Sequence, residues 1–190
     1  MLAPIGIVST LPRTAGPQLA LTTLMPDESF CSQAKTAHSN RLVIAGLNAA
    51  TGDIGVSASS RLPGLVRAMA FSPMSAQETK IFVAYQTSLK VYSLKNNDLI
   101  PEWCKACPGV IRDMATKGKW LLLGGYSGQL HCLDMTLKED FMCPNKLTSC
   151  IYTHTVDEAI ASVEWLSTAE HHFSLTTDEG SFQLYDIRKG

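Results

Sequence analysis

Apolar and polar residues alternate through the last part of the chain. Phe173 and Leu175 bracket Ser174 and are followed by Thr176, Asp178-Glu179-Gly180 interrupts, and Phe182, Leu184 and Ile187 resume the apolar pattern. This period of two around an acidic residue and a glycine predicts a β-hairpin. The pattern recurs upstream. Trp120–Leu123 and Leu130–Leu133 flank Ser127-Gly128 and close on Asp134, and Ile81–Tyr85 and Leu89–Leu94 flank another short break. A fainter version runs from Phe30 to Gly46.

The closing positions of these hairpins are Ala45, Tyr92, Leu133 and Tyr185, separated by 47, 41 and 52 residues, which agrees with the roughly 40 to 45 residues of a propeller repeat carrying loop insertions. A further strand precedes each hairpin: Leu19–Pro26, Val66–Pro73, Val110–Ala115 and Ile160–Trp165. Ahead of these stand Ile5–Pro12, Ile54–Pro63, Leu99–Cys104 and Leu147–Thr153. Each unit therefore reads as outer strand, inner strand and hairpin, over approximately 4–48, 53–96, 99–138 and 146–190. No window sustains a helical i, i+3, i+4 pattern, and a single turn around Glu78 or Ala169 is the most helix expected.

Val66–Pro73, with its Phe71-Ser72-Pro73 ending, and Thr176–Arg188, with Tyr185-Asp186 closing it, resemble the WD40 repeat. Tyr185 stands where that repeat usually carries Trp, and its usual Gly-His pair is absent from all four units. Leu121–Asp134 shows the resemblance moderately, and residues before Asn48 show it weakly. The resemblance implies an all-β chain, a single WD40-type β-propeller segment over 1–190 with four blade units. Seven blades are usual for the repeat, so a partial or half propeller is expected ahead of a self-closed four-blade ring. Three arrangements remain open: the front half of a longer propeller, a ring completed by another chain, or a small ring closed alone. In the last, the N-terminal strand Ile5–Leu11 is the candidate to complete the blade ending at Ile187.

Composition narrows the function classes. The chain has 190 residues, 45% hydrophobic and 17% charged, with a formal net charge of −1. This is a globular composition, and its charge argues against a nucleic-acid or anionic-membrane partner held by bulk electrostatics. No apolar run approaches the length of a membrane span. The start lacks the basic region of a signal peptide, and no Asn-x-Ser/Thr sequon occurs. Reduced, mostly buried thiols in a cytoplasmic or nuclear protein are therefore expected for the six cysteines.

Candidate chemistry is sparse. Cys104-Lys105-Ala106-Cys107 is a single Cys-x-x-Cys without a second close pair, short of a structural zinc set. Nucleophile-elbow, zincin and phosphate-loop motifs are absent. Neither catalytic residues, nor a metal, nor a cofactor is expected. The resemblance implies a structural blade network of His154, Thr177, Glu179 and Tyr185. Asp134 and Asp186, after the closing residues, are expected to accept hydrogen bonds from turn backbone. Arg67 and Arg112 occupy matching places two residues before Met69 and Met114, and with Arg13 form a candidate partner-binding set at the channel rim. The expected function is a non-enzymatic protein-interaction scaffold or adaptor subunit of a larger assembly, binding other proteins through loops and rim. The alternative is a recognition module for an acidic or phosphorylated peptide at Arg67 and Arg112. A propeller enzyme or metal protein ranks last.

Overall fold

A computed structural model describes residues 5–11, 18–23, 41–47, 51–62, 66–73, 78–85, 87–96, 98–137 and 147–189. Fifteen strands run through them in four antiparallel sheets. The first sheet joins β1 (Ile5–Leu11), β2 (Gln18–Thr23), β3 (Arg41–Leu47) and β4 (Ile54–Arg61) in sequence order. The second repeats this order with β5 (Val66–Pro73), β6 (Glu78–Tyr85), β7 (Ser88–Lys95) and β8 (Asp98–Ala106). The third contains β9 (Ile111–Lys117), β10 (Trp120–Gly125), β11 (Gln129–Asp134) and β12 (Cys150–Thr155). The fourth has three strands: β13 (Ile160–Trp165), β14 (His172–Thr177) and β15 (Phe182–Asp186). Glu78 opens a strand and Ala169 lies in a turn, so neither is helical.

The strand pairing corrects the reading of the first unit. Ile5–Leu11 does not complete the last sheet. It pairs with β2, Leu11 opposite Gln18, and contacts β5, the inner strand of the second sheet. A connection as short as residues 12–17 joins antiparallel neighbours and cannot cross a ring. Ile5–Leu11 is thus an inner strand, and the segment around Leu19 is a second strand. Elsewhere the outer strand heading one unit pairs with the hairpin of the unit before it: β4 on β3, β8 on β7 and β12 on β11. The sheets are therefore shifted by one strand from the sequence units, and the fourth is left without an outer strand among the described residues.

The sheets stack face to face in order, and apolar side chains fill three junctions. Leu42 and Ile44 of the first sheet meet Met69, Phe71, Ile81, Val83 and Tyr92 of the second. Phe82, Ala84, Leu89 and Val91 turn to the other face and meet Ile111, Met114, Leu121, Leu123 and Leu133 of the third. Leu122, Leu130 and Cys132 in turn meet Ile160, Val163, Phe173 and Leu175 of the fourth. Alternate residues of a middle strand thus serve alternate junctions, which is why β6 and β10 read as nearly unbroken apolar runs. Full burial of a side chain such as Phe82 or Leu122 is worth about 1.5–3 kcal/mol. Packing is tight between the third and fourth sheets, where a methyl group on Gly124 would lie 2.8 Å from Ile160 Cγ2 and 2.9 Å from Val163 Cγ1.

Polar bonds tie the inner strands together. The Ser72 hydroxyl donates to the Gly118 carbonyl at 3.0 Å, and the Thr116 hydroxyl donates to the Phe71 carbonyl. The Trp165 indole N–H reaches the Ala115 carbonyl at 3.2 Å, and the Val163 amide donates to Asp113 Oδ2 at 2.8 Å. Lys117 caps the carbonyls of Leu166 and Ala169. Adjacent sheets are therefore held in register as well as packed. No strand pairing joins the first sheet to the fourth among the described residues.

Candidate interaction surface

One end of the stack carries the starts of the inner strands and the tips of the β6–β7, β10–β11 and β14–β15 hairpins. Each inner strand has one extra residue in its second place, where the pairing slips: Gly6, Arg67, Arg112 and Ala161. Such a bulge re-aims its side chain away from the regular pleat. The matched spacing of Arg67 and Arg112 in the sequence thus corresponds to a matched backbone position. Hairpin tips fold back onto the same end, the Tyr126 amide donating to Val110 O at 2.8 Å and the Asp178 amide to Ala159 O at 3.0 Å.

The arginines differ in their surroundings. Arg112 forms an ion pair with Asp178 in the hairpin turn of the next sheet, and its guanidinium carbon lies 5.7 Å from the centre of the Tyr126 ring. The hydrogen bond it donates to Asp178 raises the Arg112 pKa above its ordinary value. Arg67 is exposed and forms no ion pair with another described residue. Arg112 is therefore a link between sheets, while Arg67 stands at the matching bulge of the neighbouring blade. Arg13 lies outside the described residues. Sequence reasoning missed Tyr126, which is 63% exposed on the same rim. Its only sequence signal is a large aromatic inside a Gly-Gly-Tyr-Ser-Gly turn.

The expected blade network divides into separate groups. Thr177 donates its hydroxyl to Glu158, Ser181 donates to the same carboxylate oxygen at 3.0 Å, and the two hydroxyls lie 2.6 Å apart. Glu158, ahead of the inner strand, thus occupies the role expected of Glu179, which is exposed at the turn tip. His154 belongs to β12, opposite Leu130 in the third sheet, and its ring packs 4.7 Å from that of Tyr185. Tyr185 also stacks on Phe173 at 5.4 Å and donates its hydroxyl to Gln183. Pairing of β12 with the preceding sheet is what takes His154 out of reach of Thr177.

Asp134 and Asp186 cap their turns in the same way. Asp134 accepts the Thr136 amide at 2.9 Å and hydroxyl at 2.6 Å, and pairs with Lys119 at 3.1 Å. Burial pushes its carboxyl up, but Thr136 and Lys119 outweigh burial and hold it below the usual aspartate value. Asp186 accepts the Arg188 amide at 3.0 Å and its guanidinium N–H groups, with His172 Nε2 3.6 Å away. The Arg188 hydrogen bonds hold the Asp186 carboxyl far below the usual range.

Among the described cysteines, Cys104 is exposed, Cys107 and Cys132 are buried, and Cys150 is half-buried. Burial pushes the Cys132 thiol up to about 12, which makes it a poor nucleophile. Cys150 Sγ lies 3.8 Å from His131 Nδ1 and donates to the Tyr152 carbonyl at 3.3 Å.

A second surface lies along the fourth sheet. Phe182 and Leu184 are 63% and 60% exposed. By pairing register they match Leu89 and Val91 in the second sheet and Leu130 and Cys132 in the third. All four counterparts are 0% exposed, because the following sheet covers them. The edge of β15 beside them is unpaired among the described residues.

No protein-family model and no curated protein matches the sequence. Among solved structures, the chain is similar to the WD40 domain of coronin from Toxoplasma gondii, with a TM-score of 0.63 at 14% identity. The similarity covers 90% of this chain and 40% of that one, so the chain spans well under half the length of the protein it matches. No helix among the described residues is long and apolar enough to cross a membrane. Four stacked antiparallel sheets, shared inner-strand bulges and this structural likeness together give the chain the fold of a WD40-type β-propeller, present among the described residues as an open run of four blades with three strands in the fourth.

Proposed function

We propose that the chain is a non-enzymatic protein-interaction scaffold, an adaptor subunit of a multi-subunit assembly in the cytoplasm or nucleus. It binds other proteins through the hairpin tips and inner-strand ends of one rim. The observation that supports this reading is Tyr126. It is 63% exposed yet stands against the Arg112 guanidinium, itself paired to Asp178 of the next blade. Exposed aromatics and arginines held by a stiff scaffold are the side chains on which protein interfaces concentrate their binding energy. Arg67 adds an exposed cation at the equivalent place on the neighbouring blade.

Affinity purification with mass spectrometry, run in parallel on the wild-type chain and a Tyr126→Ala/Arg67→Ala variant, tests the reading. Stoichiometric partners that disappear with the variant, at unchanged thermal stability, support it. An unchanged set of partners would overturn the rim as the binding surface.

A further inference from the structure

Arg112 and Asp178 show how one rim position of this fold is filled. Arg112 is the extra residue at the bulge of β9, and Asp178 follows Thr177, which stands opposite Ile160 at the start of the next inner strand. Tyr126 holds the place of Asp178 one blade earlier: it follows Gly125, which stands opposite Ile111. The backbone repeats with it. The Tyr126 and Asp178 amides donate to the carbonyls of Val110 and Ala159, each the residue just before its inner strand. Arg67, at the bulge of β5, holds the place of Arg112. A step of one blade therefore carries the Arg112–Asp178 pair onto Arg67 and Tyr126. At this second position the arginine is kept, and an uncharged phenol stands where the carboxylate was.

Charged residues nearby do not make up the difference. Rim segments 85–88, 107–110 and 125–128 of the second and third blades contain no Asp, Glu, Lys or Arg. Acidic groups gather instead on the fourth blade, where Asp157, Asp178 and Glu179 are exposed and Glu158 accepts from Thr177 and Ser181. An acidic segment lying across the rim is repelled by the fourth blade and drawn to Arg67, which is exposed.

We propose that Arg67 receives the side-chain carboxylate of an acidic segment of a partner protein, in the place that Asp178 fills for Arg112 one blade on. The guanidinium fork matches a carboxylate through two parallel N–H bonds. Tyr126, 63% exposed, supplies an aromatic contact at the same position. The assignment rests on the rim being the binding surface, and adds the chemistry that the rim selects.

A display library of random dodecapeptides, selected on the wild-type chain, on Arg67→Glu and on Tyr126→Asp, tests it. The wild type is expected to enrich sequences with Asp or Glu at a fixed position, and Arg67→Glu to enrich Lys or Arg there. Tyr126→Asp supplies the carboxylate from within the chain and is expected to lose the preference. A synthetic peptide of the enriched sequence is expected to bind about tenfold more weakly when its acidic residue becomes Asn or Gln. Arg67→Gln, expected to lose the acidic preference, serves as the second variant should Arg67→Glu not fold. Failure to enrich any sequence overturns the proposal. So does a motif without an acidic position, or one unchanged by Arg67→Glu; the rim reading itself then stands if Tyr126→Ala/Arg67→Ala abolishes binding and falls if it does not. Binding about tenfold tighter with phosphoserine at the acidic position would overturn the carboxylate in favour of a phosphopeptide. A salt-dependent loss of stability with Arg67→Ala in the free chain would overturn it too, because a carboxylate of the same chain then already fills the place.

Discussion

Gly128 and Gly180 hold the same place in successive hairpin turns, with φ of +77° and +86°, but their surroundings are opposite. A methyl group on Gly128 would lie 2.0 Å from the carbonyl oxygen of Val156, whereas one on Gly180 would meet nothing within 4 Å. The two glycines therefore separate backbone strain from steric exclusion. Gly180→Ala is expected to cost about 1–2 kcal/mol, the strain of the left-handed conformation alone. Gly128→Ala carries that strain plus a clash with backbone that cannot move aside, and is expected to cost about 3 kcal/mol or more. Urea denaturation of the two variants measures both, and equal losses would contradict the open environment of the fourth blade.

The Arg112–Asp178 pair spans two blades but is accessible to water, with side-chain exposures of 37% and 42%. Such pairs are worth about 0.2–1 kcal/mol. Arg112→Ala is expected to lower stability by an amount in that range, and by less at high salt. Arg67→Ala, at the matching bulge, is expected to leave stability unchanged. A double-mutant cycle of Arg112→Ala with Asp178→Ala should return the coupling, and the same cycle with Arg67→Ala should return none.

Acid sensitivity follows from the turn caps. Asp134 and Asp186 have carboxyl groups held below their ordinary value in the folded chain, Asp134 by Thr136 and Lys119 and Asp186 by Arg188. Their contribution is therefore complete above the unfolded value near pH 4 and is lost as pH falls through the lower folded values. Stability measured from pH 6 to pH 2 is expected to decline most steeply below about pH 4. Asp134→Asn and Asp186→Asn should each reduce that slope, and an unchanged slope in both would show that other carboxylates set it.

Two buried phenols make a different kind of prediction. The hydroxyls of Tyr85 and Tyr92 are buried close to each other in the first junction, and neither makes a well-aligned hydrogen bond with a described residue. Burial, then the neighbouring Tyr92 phenol, drives the Tyr85 pKa far above its ordinary value. An unsatisfied buried hydroxyl costs about 1–3 kcal/mol, so Tyr92→Phe and Tyr85→Phe are expected to be neutral or stabilising in thermal melts. A loss above about 1 kcal/mol in either would reveal a partner for the hydroxyl.

Strands from Val66 onward were legible in the sequence because their apolar alternation is bounded by turn residues. Val66–Pro73 and Ile160–Trp165 correspond to β5 and β13 in both limits. The first unit was read out of phase. Ile5–Pro12 and Ile54–Pro63 share an apolar alternation running into proline, and nothing local distinguishes an inner strand from an outer one. Only pairing does so, through the short connection to β2 and the contact with β5. The rim was half legible. Arg67 and Arg112 stood out by equal spacing, but Gly6 and Ala161, at the same bulge, carry no chemical signal because register sets the bulge. Glu158 was missed as the partner of Thr177 because it lies 19 residues away on the far side of the inner strand.

Among the described residues the four blades form an open array whose last blade has no outer strand. Amide hydrogen exchange on the isolated chain tests it most directly, by comparing β15 with β11, its counterpart in the complete third blade. Outward-facing amides of residues 182–186 are predicted to exchange rapidly while those of residues 129–134, covered by β12, are strongly protected. Equal protection of the two strands would mean that β15 is already paired, and would contradict the claim.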